Sequence, residues 1–296
     1  MSAEKANHQR TVARVVLADG AGLHSGGCNH VAIYPAQPGH GIVFRHIDRS
    51  GIATEIPAIW QFAENGRLCT TLSKGTKARI RTVEHLLAAC YATGIDNALI
   101  EVRGGEIPIL DGSAWPWIEL IETSGTQTFD TPRRVLRVTK QICVDDGQRQ
   151  VMLSPSQHLT IKLRVSLRGF GTFHWKGPLD RSTFAKEISA ARSFGRLRHG
   201  LPAKLMTRFF REPFCQGANF NTVVVLARGR VINPGGLRFP NEFARHRVLD
   251  LVGDFMLAGA DIIASVTARA PSHSLNRAAV AALVSDSTAW EEVAAA

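Results

Sequence analysis

TVEHLLAACYATGIDNALIEV, residues 82–102, reads as a helix followed by a strand, and the return of that pair later in the chain decides the fold. Val83, Leu86, Leu87 and Cys90 follow the i, i+3, i+4, i+7 spacing of a half-buried helix. Gly94 stands where a helix closes on a left-handed residue, and NALIEV (97–102) is a strand. Upstream, TVARVVLA (11–18), HVAIYP (30–35), GIVFRH (41–46) and RLCTTL (67–72) are β-branched or alternating stretches bounded by turn formers. Downstream, a helix is expected from about Ser113 to Glu122, and TSGTQTFDTPR (123–133) reads as a polar connection.

The order then recurs. VLRVTKQICV (135–144), VMLS (151–154) and LTIKLRVSL (159–167) are strands, a helix covers about 182–192, and TVVVLA (222–227) is a buried strand. A helix over about 242–258 precedes the strand IIASVTA (262–268), and a last helix follows Ser272 or Ser274. This duplicated order implies an α+β protein of two domains of related topology, each a β-sheet layer with helices, with a shared site at their interface. The expected boundaries are a disordered N-terminus at 1–10, a first domain at 11–124, a linker at 125–133 and a second domain at 134–296.

Composition narrows the class. With 296 residues, 45% hydrophobic and 20% charged, the chain can build real cores. No apolar run reaches a membrane span, and MSAEKANHQR lacks the apolar core of a signal peptide, so a cytoplasmic protein is expected. The 35 basic residues exceed the 25 acidic ones by 10, which attracts anions and allows peripheral contact with an acidic surface. The basic residues are dispersed and lack aromatic interleaving, so nucleic acid is not the expected partner. Five scattered cysteines without a Cys-x-x-Cys pair exclude a disulfide framework and a zinc finger. GLHSGGCNH brings His24, Cys28 and His30 close in sequence, but a glycine-rich turn collects polar residues for backbone reasons.

Two segments carry chemistry. Glu84 adjoins His85 on the first helix, and RFPNEFARHRVLDLVGD (238–254) carries His246, Asp250 and Asp254 at spacings of four. At about 100° per residue these three fall within roughly 80° of one helix face. A lone buried histidine is more often a hydrogen-bonded core residue, and His-x-x-x-Asp is also an ordinary ion-pair spacing. Neither segment holds His-Glu-x-x-His. Yet a largely apolar helix with one polar stripe must give that stripe partners. Two imidazoles and a carboxylate suit a zinc ion with room for a water.

The chain resembles the zinc-dependent UDP-3-O-acyl-N-acetylglucosamine deacetylases of lipid A biosynthesis over about residues 11–284. The resemblance lies in GAGLHSG (20–26), TVEHLLAA (82–89), GIDNALIEV (94–102), EIPILDGSA (106–114), ISAARSFG (188–195), GLRFPNEFARHRVLD (236–250) and SHSLN (272–276). It implies one zinc per chain on His85, His246 and Asp250, Glu84 as general base, and His273 as a charged group opposite the metal, paired with Asp254. Ser193 stands where the family has threonine and keeps the hydroxyl. Phe194, Arg149, Arg247 and Arg269 are the expected substrate-binding residues. The implied partner is a small N-acetylated sugar, UDP-linked and acylated, acted on by a monomer.

The substrate pocket departs from the family. Ser166 and Leu167 replace an acid and a stacking phenylalanine, and Ala270 replaces a lysine beside Arg269. Ala218, Asn219 and Val223 are bulkier than their counterparts along the acyl passage. Three readings follow: deacetylation of the UDP-linked lipid A precursor, deacetylation of another N-acyl sugar or amine with a reduced UDP site, or sugar-nucleotide binding without catalysis.

Overall fold

The computed structural model describes residues 7–64, 68–197 and 214–294. The first half holds five strands, β1 (Val16–Ala21), β2 (Cys28–Pro35), β3 (Ile42–Ile47), β4 (Ala53–Pro57) and β5 (Ala98–Arg103), in the sheet order β1-β2-β5-β3-β4. The second half holds β6 (Ile142–Asp145), β7 (Gln150–Ser154), β8 (Thr160–Leu167), β9 (Gly171–Pro178) and β10 (Ser265–Arg269), in the order β6-β7-β10-β8-β9. Pairing sense also matches. β3 with β5 and β8 with β10 are the parallel pairs, and every other neighbour in both sheets is antiparallel. The related topology expected from the sequence is therefore present strand for strand.

Helices repeat in the same places. α1 (Glu84–Thr93) precedes β5 and α2 (Trp115–Ser124) follows it; α3 (Glu242–Phe255) precedes β10 and α4 (His273–Ser285) follows it. α3 lies on β8 and β9, α4 on β6 and β7, and α1 packs directly against α3 between the halves. That central position explains one departure from the sequence reading. α1 is not half-buried: nine of its ten residues are buried, because α2 and α3 cover the faces its own sheet leaves open. Gly94 closes it at φ 72°, as its position predicts.

Other local expectations change. The stretch 125–133 is not an irregular linker: Thr126–Pro132 is a strand antiparallel to His8–Val12. The same pairing orders His8 to Arg10 within the N-terminus expected to be disordered, while residues 1–6 lie outside the described residues. The helix expected at 182–192 is shorter, a helical turn at Arg181–Thr183 running into a π-helical turn at Phe184–Ile188. The duplicated order is interrupted at one equivalent point in each half, between the fourth strand and the following helix. The first insertion contains the hairpin Thr71–Lys74 with Ala78–Arg81, and the second contains Phe194–Arg196 parallel to Val224–Ala227. No helix of the described residues is long and apolar enough to cross a membrane.

Candidate active site

The centre of the molecule is polar where it would otherwise be driest. His85 on α1 and His246 and Asp250 on α3 are buried, with one ligand atom from each lying within 4.8 Å of the others. His246 Nε2 and His85 Nε2 stand 3.3 and 3.9 Å from Asp250 Oδ1, and the two imidazole rings meet edge to face at 5.3 Å. Crossing of α1 and α3 makes this possible, since Gly253 lets the backbone of Glu84 approach α3 where a side chain would collide with it.

Three features fit this cluster to a divalent cation. His246 Nδ1–H donates to the carbonyl of Ala191 at 3.0 Å, which fixes the tautomer and leaves the Nε2 lone pair facing His85 and Asp250. Burial, reinforced for His85 by the neighbouring His246, keeps both imidazoles neutral, His85 down to about 3. Burial opposes ionisation of Asp250, yet His246, His273 and Arg247 outweigh it and hold the carboxyl below its ordinary range. Two neutral nitrogens and one carboxylate are the donor set that suits zinc.

The segment before α3 is held by a buried ion pair. Glu242, wholly inaccessible, accepts from Arg192 Nε at 2.8 Å and from the Arg192 and Arg238 backbone N–H groups. This fixes residues 191–193, so Ala191 offers its carbonyl to His246 and Ser193 Oγ comes within 3.4 Å of His246 Nε2. Arg247 bridges outward, donating to Asp250 Oδ2 at 2.9 Å while lying over the Phe194 ring.

Across the cluster stands a second constellation. His273, the first residue of α4, bonds through Nδ1 to Asp254 Oδ2 at 2.9 Å, and its Nε2 is 3.9 Å from Glu84 Oε1. Burial alone would neutralise this imidazole, but Asp254 and Glu84 raise it to about 10, so it is the one charged histidine here. Glu84 is pushed well above the ordinary carboxylate range by burial, against the pull of His273.

Thr70, which sequence reading treated only as part of a strand, joins these groups. Its backbone N–H donates to Glu84 Oε2 at 2.9 Å, its hydroxyl donates to Asp254 Oδ1, and the same Thr70 Oγ1 is 3.3 Å from His273 Nδ1. Asn276 adds a bond to Asp254 Oδ2 at 2.8 Å. The helices that carry Glu84 and His273 also start just after a residue with positive φ: Thr82 at 59°, two before Glu84, and Ala270 at 48°, three before His273. Strain of this kind, about 1–3 kcal/mol per residue, is held where surrounding structure over-determines the chain. At Thr82 the restraint is Glu106, whose Oε1 accepts the threonine hydroxyl at 3.0 Å and the His24 N–H at 2.8 Å.

Both constellations open into a cavity of about 910 Å³. Glu84, His85, His246, Asp250, His273 and Ser193 line it together with the apolar Leu23, Phe214, Phe220, Val223 and Leu226. Of the expected substrate-binding residues, Phe194, Arg149 and Arg247 line it; Arg269 does not, and stands 3.6 Å from Asp145 instead. Of the departures read from sequence, Leu167, Ala270, Ala218, Asn219 and Val223 line the cavity, whereas Ser166 does not and its hydroxyl meets Thr172 Oγ1 at 2.8 Å. Part of the passage region, residues 198–213, lies outside the described residues.

Comparison with known proteins shows the family of the chain. The family model described as UDP-3-O-acyl N-acetylglycosamine deacetylase matches residues 9–285. The UDP-3-O-acyl-N-acetylglucosamine deacetylase of Myxococcus xanthus is 37% identical over 290 residues, covering 97% of this chain and 90% of the relative. The proteins of the same name from Stenotrophomonas maltophilia and Shewanella oneidensis are 36% and 37% identical, each over 96% of this chain and 93% and 92% of their own lengths.

Proposed function

This chain belongs to the UDP-3-O-acyl N-acetylglycosamine deacetylase family, and we propose that it hydrolyses the N-acetyl amide of UDP-3-O-acyl-N-acetylglucosamine, releasing acetate in lipid A biosynthesis. One observation carries the reading: a neutral two-histidine, one-carboxylate cluster faces a buried glutamate and a charged histidine on the wall of a cavity that apolar side chains also line. A sugar-nucleotide-binding protein without catalysis has no use for all five groups.

His85, His246 and Asp250 would hold one zinc ion, which supplies a water of near-neutral pKa and polarises an amide carbonyl. The chain's own groups then do the proton work. Glu84, one oxygen pinned by the Thr70 N–H and the other facing His273, takes a proton from the attacking water and returns it to the leaving amine. Burial raises its pKa above the ordinary carboxylate range, which strengthens it as a proton acceptor. His273, kept protonated by Asp254, faces the negative charge that develops on the carbonyl oxygen. The Ser193 hydroxyl can donate to the same oxygen. Arg149 and Arg247 offer guanidinium groups to a diphosphate, and the apolar walls accept an acyl chain.

The test is turnover of two matched substrates, the acylated N-acetylglucosamine with and without its uridine diphosphate. Hydrolysis of the UDP-linked compound supports the reading. Efficient hydrolysis of only the UDP-free compound would assign the chain to another N-acyl sugar, and acetate from neither would leave a binding protein.

A further inference from the structure

The turn GLHSGGCNH suggests a histidine–cysteine cluster, but the fold divides it. His24 turns inward to the cavity against Phe214, with ring centroids 5.4 Å apart. Cys28 and His30 turn outward. They are alternate residues of β2, both exposed on the solvent face of the first sheet, and Asp19 of β1 lies directly across from His30. Asp19 Oδ1 is 2.7 Å from His30 Nδ1, and His30 Nε2 is 3.9 Å from Cys28 Sγ. The three groups thus stand in line, carboxylate to imidazole to thiol, with the imidazole bonded at both nitrogens. A metal cannot be shared among them, because the carboxylate and the sulfur meet opposite edges of the ring.

We propose that Asp19, His30 and Cys28 form a surface thiol site, distinct from the zinc cluster, in which His30 activates Cys28 toward low-molecular-weight disulfides. With Nδ1–H donated to Asp19, the His30 tautomer leaves Nε2 as an acceptor for the thiol proton. The Cys28 proton passes to His30 Nε2, and the thiolate attacks one sulfur of the disulfide. A new Sγ–S bond forms as the disulfide bond breaks, and the departing thiolate carries off the electron pair and takes the proton from His30. Cys28 ends as a mixed disulfide and one free thiol is released. Arg103, across from His30 on β5, is engaged with Glu101 at 3.1 Å and leaves the line of three intact.

The chain carries its own control. Cys143 is also exposed and free, but its neighbour within hydrogen-bond reach is the Gln150 amide, which cannot act as a base. An ordinary thiol is only a few per cent ionised near neutrality, so an adjacent base can raise reactivity about tenfold. A timed iodoacetamide pulse at pH 7 on the full chain, read by peptide mass spectrometry, should label Cys28 about tenfold faster than Cys143. Glutathione disulfide should add first at Cys28. His30→Ala should bring Cys28 down to the Cys143 rate, Asp19→Asn should slow it less, and continued protection of the buried Cys69 and Cys90 reports that each variant is folded. Equal rates at the two cysteines in the wild type would overturn the proposal. So would a Cys28 rate indifferent to both substitutions.

Discussion

Gly253 and Glu84 touch through their backbones: a Cβ built on Gly253 would stand 2.8 Å from the carbonyl carbon of Glu84 and nearer still to its oxygen. The site is assembled at this crossing, since α1 brings Glu84 and His85 and α3 brings His246, Asp250 and Asp254.

Gly253→Ala should therefore destabilise the whole protein. The obstructing group is backbone, so no side chain can swing aside, and overpacking of this kind costs about 3 kcal/mol or more. Denaturant unfolding measures it. A variant as stable as the wild type would mean that the helices can part without loss.

Purified protein should bind one zinc ion per chain, and His246→Ala or Asp250→Ala should abolish tight binding. Elemental analysis after dialysis decides this. Full occupancy in His246→Ala would place the metal elsewhere.

Glu84→Ala and His273→Ala should separate chemistry from metal binding. Both should keep zinc, with turnover falling about 10²–10⁴-fold for Glu84 and about 10²–10³-fold for His273. Near-normal turnover in either stable variant would reduce that residue to a brace between the halves.

Thr70→Val keeps the backbone N–H to Glu84 and removes the hydroxyl that bonds Asp254. Leaving that buried carboxylate oxygen without its donor should cost about 1–3 kcal/mol. Turnover should fall with zinc retained. An unchanged melting temperature and rate would show that Asn276 and His273 suffice for Asp254.

Protonation should divide the three histidines. In zinc-free protein, imidazole nitrogen shifts should show His273 doubly protonated at pH 8 and His85 still neutral well below pH 6. Because His273 is raised from 6.5 to about 10, its stabilising pairing is fully present below about 6.5 and is lost as pH rises through about 10. The stability difference between wild type and His273→Gln should shrink over that window. The opposite trend, or a neutral His273 at pH 8, would remove its assigned role.

Much of this was legible in the chain. Glu84–His85 and His246–Asp250 lie on helices whose apolar spacing is plain, and Gly94 ends α1 as its type predicts. Repetition of strand and helix order announced the two matching sheets. Thr70 was not legible, because its partner Asp254 is 184 residues away and an isolated threonine at a strand end carries no periodic signal. The strand at Thr126–Pro132 was hidden by polar composition, since its pairing with His8–Val12 leaves most of its side chains accessible. Arg269 ends β10 and meets Asp145, whereas Ala270, just past the strand at φ 48°, is on the cavity wall, a change of direction that residue type alone does not announce.

The doubled topology has a consequence for the moment at which activity appears. The first half completes its own sheet and emerges first from a ribosome, and domains generally fold as units in that order. It then carries Glu84, His85 and Thr70, but none of the second-half groups they face. Asp250 and Asp254 follow on α3, and His273 arrives only with α4. The site is therefore whole only once α3 has packed against α1 and α4 has followed.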